Sequence, residues 1–361
     1  METLSEAKKV LKLIIVVILI VVVSFLVASY FFAMPLGLAL FYFTPGGLAI
    51  SKLYLVKLPI ELFIVIAFTV PVKLNVGVVF AFLWGVYLLC FVAAWNLRES
   101  FHKVIENSLS HPICHVLKNW LFAMPIIASM VLNAVVVIYS FQEAHGVPTG
   151  EAPLPENPFE SFFLLTLAPL MEELGFRITP IGAFLVVYLF WVTKKRAAAE
   201  PRIQRLKVFF LAWFYPEKAK KVAGLKTVND SGIKEGISLG EWIMVILTSA
   251  TFGLVHYLGG GWEVGKITLV LVQGFAMGLT YLLYGVQAPI LLHWFFNYYP
   301  YVYSLALDIY PNLSLLVSVI NVAMMGLGML GWAAAIILGV RFVARAIANK
   351  IKSSDQNVGS L

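Results

Sequence analysis

The chain is a succession of apolar runs, each about as long as a bilayer is thick, and this removes most of the folds otherwise open to 361 residues. The runs fall near residues 10–34, 54–72, 76–97, 120–141, 159–192, 240–257, 266–284, 288–307 and 313–346, with a shorter candidate at 36–51 around Pro45, Gly46 and Gly47. A membrane span needs about 20 apolar residues, and only helices or closed barrels satisfy every backbone group in lipid. Alternating barrel strands are not evident. The expected fold class is therefore all-α, a polytopic transmembrane helix bundle of about 8–10 spans. Composition agrees: 61% of residues are hydrophobic and 12% charged, where a soluble domain has roughly 45–50% and about 25%. The first run exceeds the h-region of a signal peptide, about 7–15 residues, and reads as a retained span.

Positive charge sets the expected topology. Lys8, Lys9 and Lys12, the stretch from Arg98 to Lys118, the stretch from Lys194 to Lys234, and the stretch from Arg341 to Lys352 should all be cytoplasmic. This requires an even number of crossings before residue 98, so 36–51 counts as a span or tight hairpin. Ten crossings result, with both termini cytoplasmic. The segment from Phe141 to Pro158 holds no Lys or Arg and falls on the other side. The net charge of +7 thus serves orientation, and nucleic-acid binding is not expected. Cys90 and Cys114 imply no disulfide framework. Residues 193–237 are a basic insertion, readable either as a helix in the membrane interface or as a solvated loop.

Within this apolar background, "APLMEELGFRITP" (168–180) places two glutamates and an arginine at span depth. Ionisable groups there default to a functional hypothesis. On a helix Glu173 and Arg177 are four apart and share a face, while Glu172 is rotated about 100° from Glu173 and has no obvious local partner. An unpaired carboxylate in low dielectric is a common form of general base. Two further pairs stand four apart inside spans: Phe252 with His256, and His293 with Asn297. Counting about 1.5 Å per residue from the span ends puts Glu172 and His256 at similar depths and His293 shallower. A base, a histidine to share its proton and two donors for an oxyanion are the parts needed to hydrolyse an acyl bond without a covalent intermediate. Taken singly, each residue also suits a hydrogen-bonded contact between helices.

The ordered set E-E-x-x-x-R (Glu172, Glu173, Arg177), F-x-x-x-H (Phe252, His256) and H-x-x-x-N (His293, Asn297) resembles the CAAX-protease and bacteriocin-processing family of intramembrane proteases, which includes the type II CAAX prenyl proteases. The resemblance covers about residues 120–307. Residues 1–119, the insertion at 193–237 and the C-terminal span and tail at 308–361 lie outside it. It implies a glutamate-dependent endopeptidase in which Glu172 and His256 activate water and His293 and Asn297 stabilise the oxyanion. Glu173, Arg177 and Phe252 would support them. No cofactor is implied, and the expected partners are the lipid bilayer and a membrane-associated protein or peptide, prenylated or not.

Three alternatives remain at this level. Two histidines and a carboxylate could hold zinc, although no H-E-x-x-H signature is present. A non-catalytic scaffold could use the same pocket to hold a peptide or lipid. A transporter would be expected to show internal repeats, and none is evident. His111, Cys114 and His115 imitate a metal cluster, but Pro112 argues against one helix presenting both imidazoles. Gly274 and Gly278 have the small-x-x-x-small spacing of close helix packing.

Overall fold

In the computed structural model, which describes residues 2–64, 66–192 and 202–358, the apolar runs are helices with one exception. Helix α1 (Glu2–Phe43) runs through the expected break at residue 36. Thr44 and Pro45 end it and start the short α2 (Pro45–Ser51), with Thr44 Oγ1 accepting from the Gly47 N–H at 3.2 Å. The segment 36–51 is therefore not a separate span.

The exception is 54–72, which is not a span either. It forms an antiparallel hairpin of β1 (Tyr54–Leu62) and β2 (Ile66–Asn75). Val, Ile, Thr, Phe and Tyr favour this pleated form, and two prolines exclude a regular helix. Pro59 pairs with Thr69 and Pro71 with Lys57, so both prolines fall on the same alternation of the ladder, where a missing N–H costs nothing. The tip docks on the bundle: Phe63 N–H donates to Thr179 Oγ1 at 2.8 Å and Ile64 N–H to the Gly175 carbonyl at 3.1 Å. Phe63 and Ile64 have φ of 50° and 71°, an unfavourable region for a bulky or β-branched residue.

The remaining elements are α3 (Val76–Asn96), α4 (Phe101–Asn107), a 3₁₀ turn (Ile113–Lys118), α5 (Trp120–Ala144), α6 (Pro158–Glu173), a π-turn (Leu174–Ile178), α7 (Thr179–Val192), α8 (Arg202–Phe214), α9 (Pro216–Val222), α10 (Val228–Gly236), α11 (Leu239–Leu258), α12 (Gly265–Tyr284), α13 (Gln287–Ile309), a second 3₁₀ turn (Pro311–Leu313) and α14 (Ser314–Val358). Asn119 shows how a loop is fixed: its Oδ1 caps α5 at Phe122 N, while its Nδ2 donates to the carbonyls of Ala94, Trp95 and Glu99.

Among the described residues, 7 helices are long and apolar enough to cross a membrane. Helix α13 is too polar for that criterion, yet it packs against α1, α3, α5, α6 and α12. Its Trp294, Tyr298 and Tyr299 are buried. Aromatics suit this place because their hydroxyls find partners, as with Tyr299 Oη on Ser29 Oγ at 2.7 Å. With α13, eight long helices make up the bundle among the described residues, and 36–51 and 54–72 add no further spans. Leu89, Val137, Val187 and Leu338 point outward from the surrounding helices. The protein is an integral, multi-pass membrane protein. Within the insertion, α8 to α10 are described and residues 193–201 are not; α8 joins the bundle where Tyr281 Oη donates to the Trp213 carbonyl at 2.6 Å.

Candidate active site

The acidic motif sits immediately before a defect in its helix. Asn157 starts α6 by accepting from Phe159 N at 2.9 Å, and the helix runs to Glu173 with Pro169 inside it. Pro180 has no N–H for the Phe176 carbonyl and its ring crowds that turn. The helix widens by one residue, as helices do at such points. Thr179 Oγ1 repairs the turn by donating to the Leu174 carbonyl at 2.8 Å.

Six side chains then meet, from α6 with its π-turn, from α11 and from α13. Glu173 Oε1 accepts from Arg177 Nη1 and from His293 Nδ1, each at 2.9 Å. His256 Nδ1 lies 2.9 Å from the Phe252 carbonyl. Carboxylates and carbonyls only accept, so both imidazoles carry hydrogen on Nδ1. Their Nε2 atoms are left to face Glu172: Oε2 is 3.7 Å from His293 Nε2 and 3.9 Å from His256 Nε2. Asn297 Nδ2 stands 3.3 Å from His293 Nε2. Among the described residues, Glu172 Oε2 has no hydrogen-bond partner.

Burial grades across the cluster. The side chains of Glu173 and Arg177 are 0% exposed and His293 is 6%, whereas Glu172 and His256 are each 22%. The ion pair is sealed inside, and the two groups suited to meet water open outward. Phe252 closes the layer between them: Arg177 lies 4.0 Å from its ring centre, and the His256 ring meets it edge-on at 4.6 Å. Gly274 makes room, since a Cβ there would come within 2.6 Å of Arg177 Nη2.

Counting residues from the span ends puts His293 shallower than the glutamates, and the structure shows why that count misleads. The helix pair carrying Glu172 spans 35 residues, about 52 Å at 1.5 Å per residue. This exceeds a hydrocarbon core of about 30 Å, so distance from its ends does not report depth. One neighbour escapes the sequence motifs. Glu61, at the hairpin end, packs its Cβ 2.8 Å from where a Gly175 Cβ would lie, and its Oε2 is buried without a hydrogen-bond partner among the described residues. The only signal for it in the sequence is a carboxylate inside an expected span. His111 and His115 stack at 4.4 Å, with His115 Nε2 3.2 Å from Glu99. Among the described residues, no group of three or more His, Cys, Asp or Glu is arranged to hold a metal ion.

Comparison with known proteins adds one match. Residues 155–299 match the family model described as type II CAAX prenyl endopeptidase Rce1-like. No curated protein and no solved structure matches the chain. The matched segment contains Glu172, Glu173, Arg177, Phe252, His256, His293 and Asn297, and leaves out the hairpin that docks on Gly175 and Thr179. Residues 155–299 are thus similar to the CAAX-type intramembrane endopeptidase domain that the motifs resemble, which supports the CAAX-protease family for this part of the chain.

Proposed function

We propose that the protein is a glutamate-dependent intramembrane endopeptidase that hydrolyses membrane-associated proteins or peptides, prenylated C-termini among them, without a metal cofactor. The observation that supports this reading most is that both imidazoles, held through Nδ1, turn Nε2 toward a carboxylate oxygen with no hydrogen-bond partner among the described residues. Glu172 takes a proton from water as the resulting hydroxide adds to the scissile carbonyl carbon, and His256 Nε2 shares that proton. Charge then grows on the carbonyl oxygen. Asn297 Nδ2 donates to it, and His293 donates once its Nε2 has received a proton from Glu172, with Nδ1 still held by Glu173. The C–N bond breaks as His293 returns that proton to Glu172 and Glu172 passes it to the leaving nitrogen, which restores the carboxylate and the neutral imidazole. The substrate enters extended, because a helical backbone shields its carbonyls. By the distribution of Lys and Arg, both termini and the insertion face the cytoplasm.

The test is cleavage of a quenched fluorescent peptide panel, with and without a prenyl group, by wild-type protein and by Glu172→Gln, each with and without a strong chelator. Chelator-resistant cleavage that falls by about 10²-fold or more in Glu172→Gln is the expected result. Cleavage abolished by chelator and restored by zinc would establish the metalloprotease alternative instead. Substrate retained but left uncut by folded wild-type protein would favour the scaffold.

A further inference from the structure

Where the end of α3 meets the insertion, the surface folds into a cavity of about 730 Å³. Its wall is built from residues 96–100, Lys103, Lys118 and parts of 215–229, three stretches far apart in the chain. Arg98, Lys103, Lys118, Lys218 and Lys221 line it against two carboxylates, Glu99 and Glu217. Both carboxylates are engaged. Glu99 accepts from Asn107 Nδ2 at 3.0 Å and lies 3.2 Å from His115 Nε2. Glu217 accepts from the Asn229 N–H at 2.8 Å and lies 3.9 Å from Arg98. Lys221 has Asp230 at 3.8 Å. That leaves Lys103, Lys118 and Lys218, all exposed, with no side-chain hydrogen bond or ion pair among the described residues.

The cavity lies at the edge of the membrane-spanning bundle. Asn96 is the last residue of α3, and the Arg98 guanidinium lies 5.0 Å from the ring centre of Tyr284, the last residue of α12. Directly before Tyr215 in the wall, α8 exposes Leu206, Phe209, Phe210 and Phe214 beside basic residues. A helix of that kind lies in the headgroup region. An unbalanced basic cavity opening at the same level meets phosphate groups fixed in that plane.

We propose that this cavity binds the phosphate-bearing headgroup of an anionic membrane lipid, held by Lys103, Lys118 and Lys218. The site is separate from the catalytic cluster, so it stands or falls independently of the protease reading. The full-length protein in nanodiscs of mixed phosphatidylcholine and phosphatidic acid, measured by native mass spectrometry, tests it. Wild-type protein is expected to retain phosphatidic acid over phosphatidylcholine. The Lys103→Ala, Lys118→Ala, Lys218→Ala triple variant should lose about a hundredfold of that preference, a factor of about five per lysine. The corresponding triple arginine variant should keep it. Lys218→Ala alone, on an exposed side chain, reads the same effect at about fivefold should the triple variant unfold. An unchanged preference in the alanine variants, or equal loss in the arginine variant, overturns the proposal. Displacement of the lipid by inorganic phosphate would reassign the site to a soluble anion and overturn the lipid assignment.

Discussion

Arg177 has no exposed surface, and only Nη1 of its nitrogens is hydrogen-bonded among the described residues. Its charge is balanced by Glu173 and by the faces of Phe252 and Phe176, so the pair is costly to break and cheap to replace whole. Arg177→Met should destabilise the protein by about 3–5 kcal/mol, because Glu173 is left as a buried charge. The double change Arg177→Met, Glu173→Leu should recover most of this in thermal unfolding but stay inactive, since Glu173 also fixes the His293 tautomer. Recovered cleavage in the double variant would show that His293 needs no such orientation. Asn297→Ala separates the other role. With Asn297 as an oxyanion donor, its loss should lower kcat by about 10²–10³-fold with KM little changed, whereas a purely structural contact would show as a lower unfolding temperature with kcat retained.

At the scale of elements, the hairpin and the π-turn hold one another, and Gly175 is where they touch. Gly175→Ala would set a methyl group against Glu61 at 2.8 Å. Overpacking of this kind costs about 1–3 kcal/mol. The cheapest relief is for the hairpin tip to lift, with loss of the bonds from Ile64 to Gly175 and from Phe63 to Thr179. The expected outcome is faster proteolytic nicking near residues 63–66 and reduced cleavage activity; normal resistance to nicking would show that the π-turn yields instead. Legibility divides along the same line. The contacts of Glu173 with Arg177, and of His293 with Asn297, follow from helical spacing and are legible in the sequence alone. The hairpin is not legible from apolarity, because hydropathy is blind to whether a run of Val, Ile and Phe is helix or strand. Pro59 and Pro71, with Lys57, Glu61 and Lys73, are the contrary signals. The link from Glu173 to His293 spans 120 positions and is set by packing, which no local pattern encodes.

For the whole molecule, the difference between ten crossings and eight changes no terminus, since both numbers are even. It changes the side on which the α2–β1 corner lies. In a ten-span chain Lys52 would sit between the second and third spans, on the face shared by the termini and the basic insertion. In the structure it follows α2 at the opposite end of α1, next to the start of α3, and the hairpin brings Asn75 back beside it: Val76 N–H donates to the Leu53 carbonyl at 2.9 Å. Lys52 therefore belongs to the face of the acidic 141–158 segment. Single cysteines at Lys52, Glu151 and Lys226, each exposed, in a chain with Cys90 and Cys114 replaced by Ala, make this measurable with a membrane-impermeant thiol reagent on sealed vesicles. Lys52→Cys and Glu151→Cys should react from one side and Lys226→Cys only from the other. Reaction of Lys52→Cys together with Lys226→Cys would restore the ten-span topology.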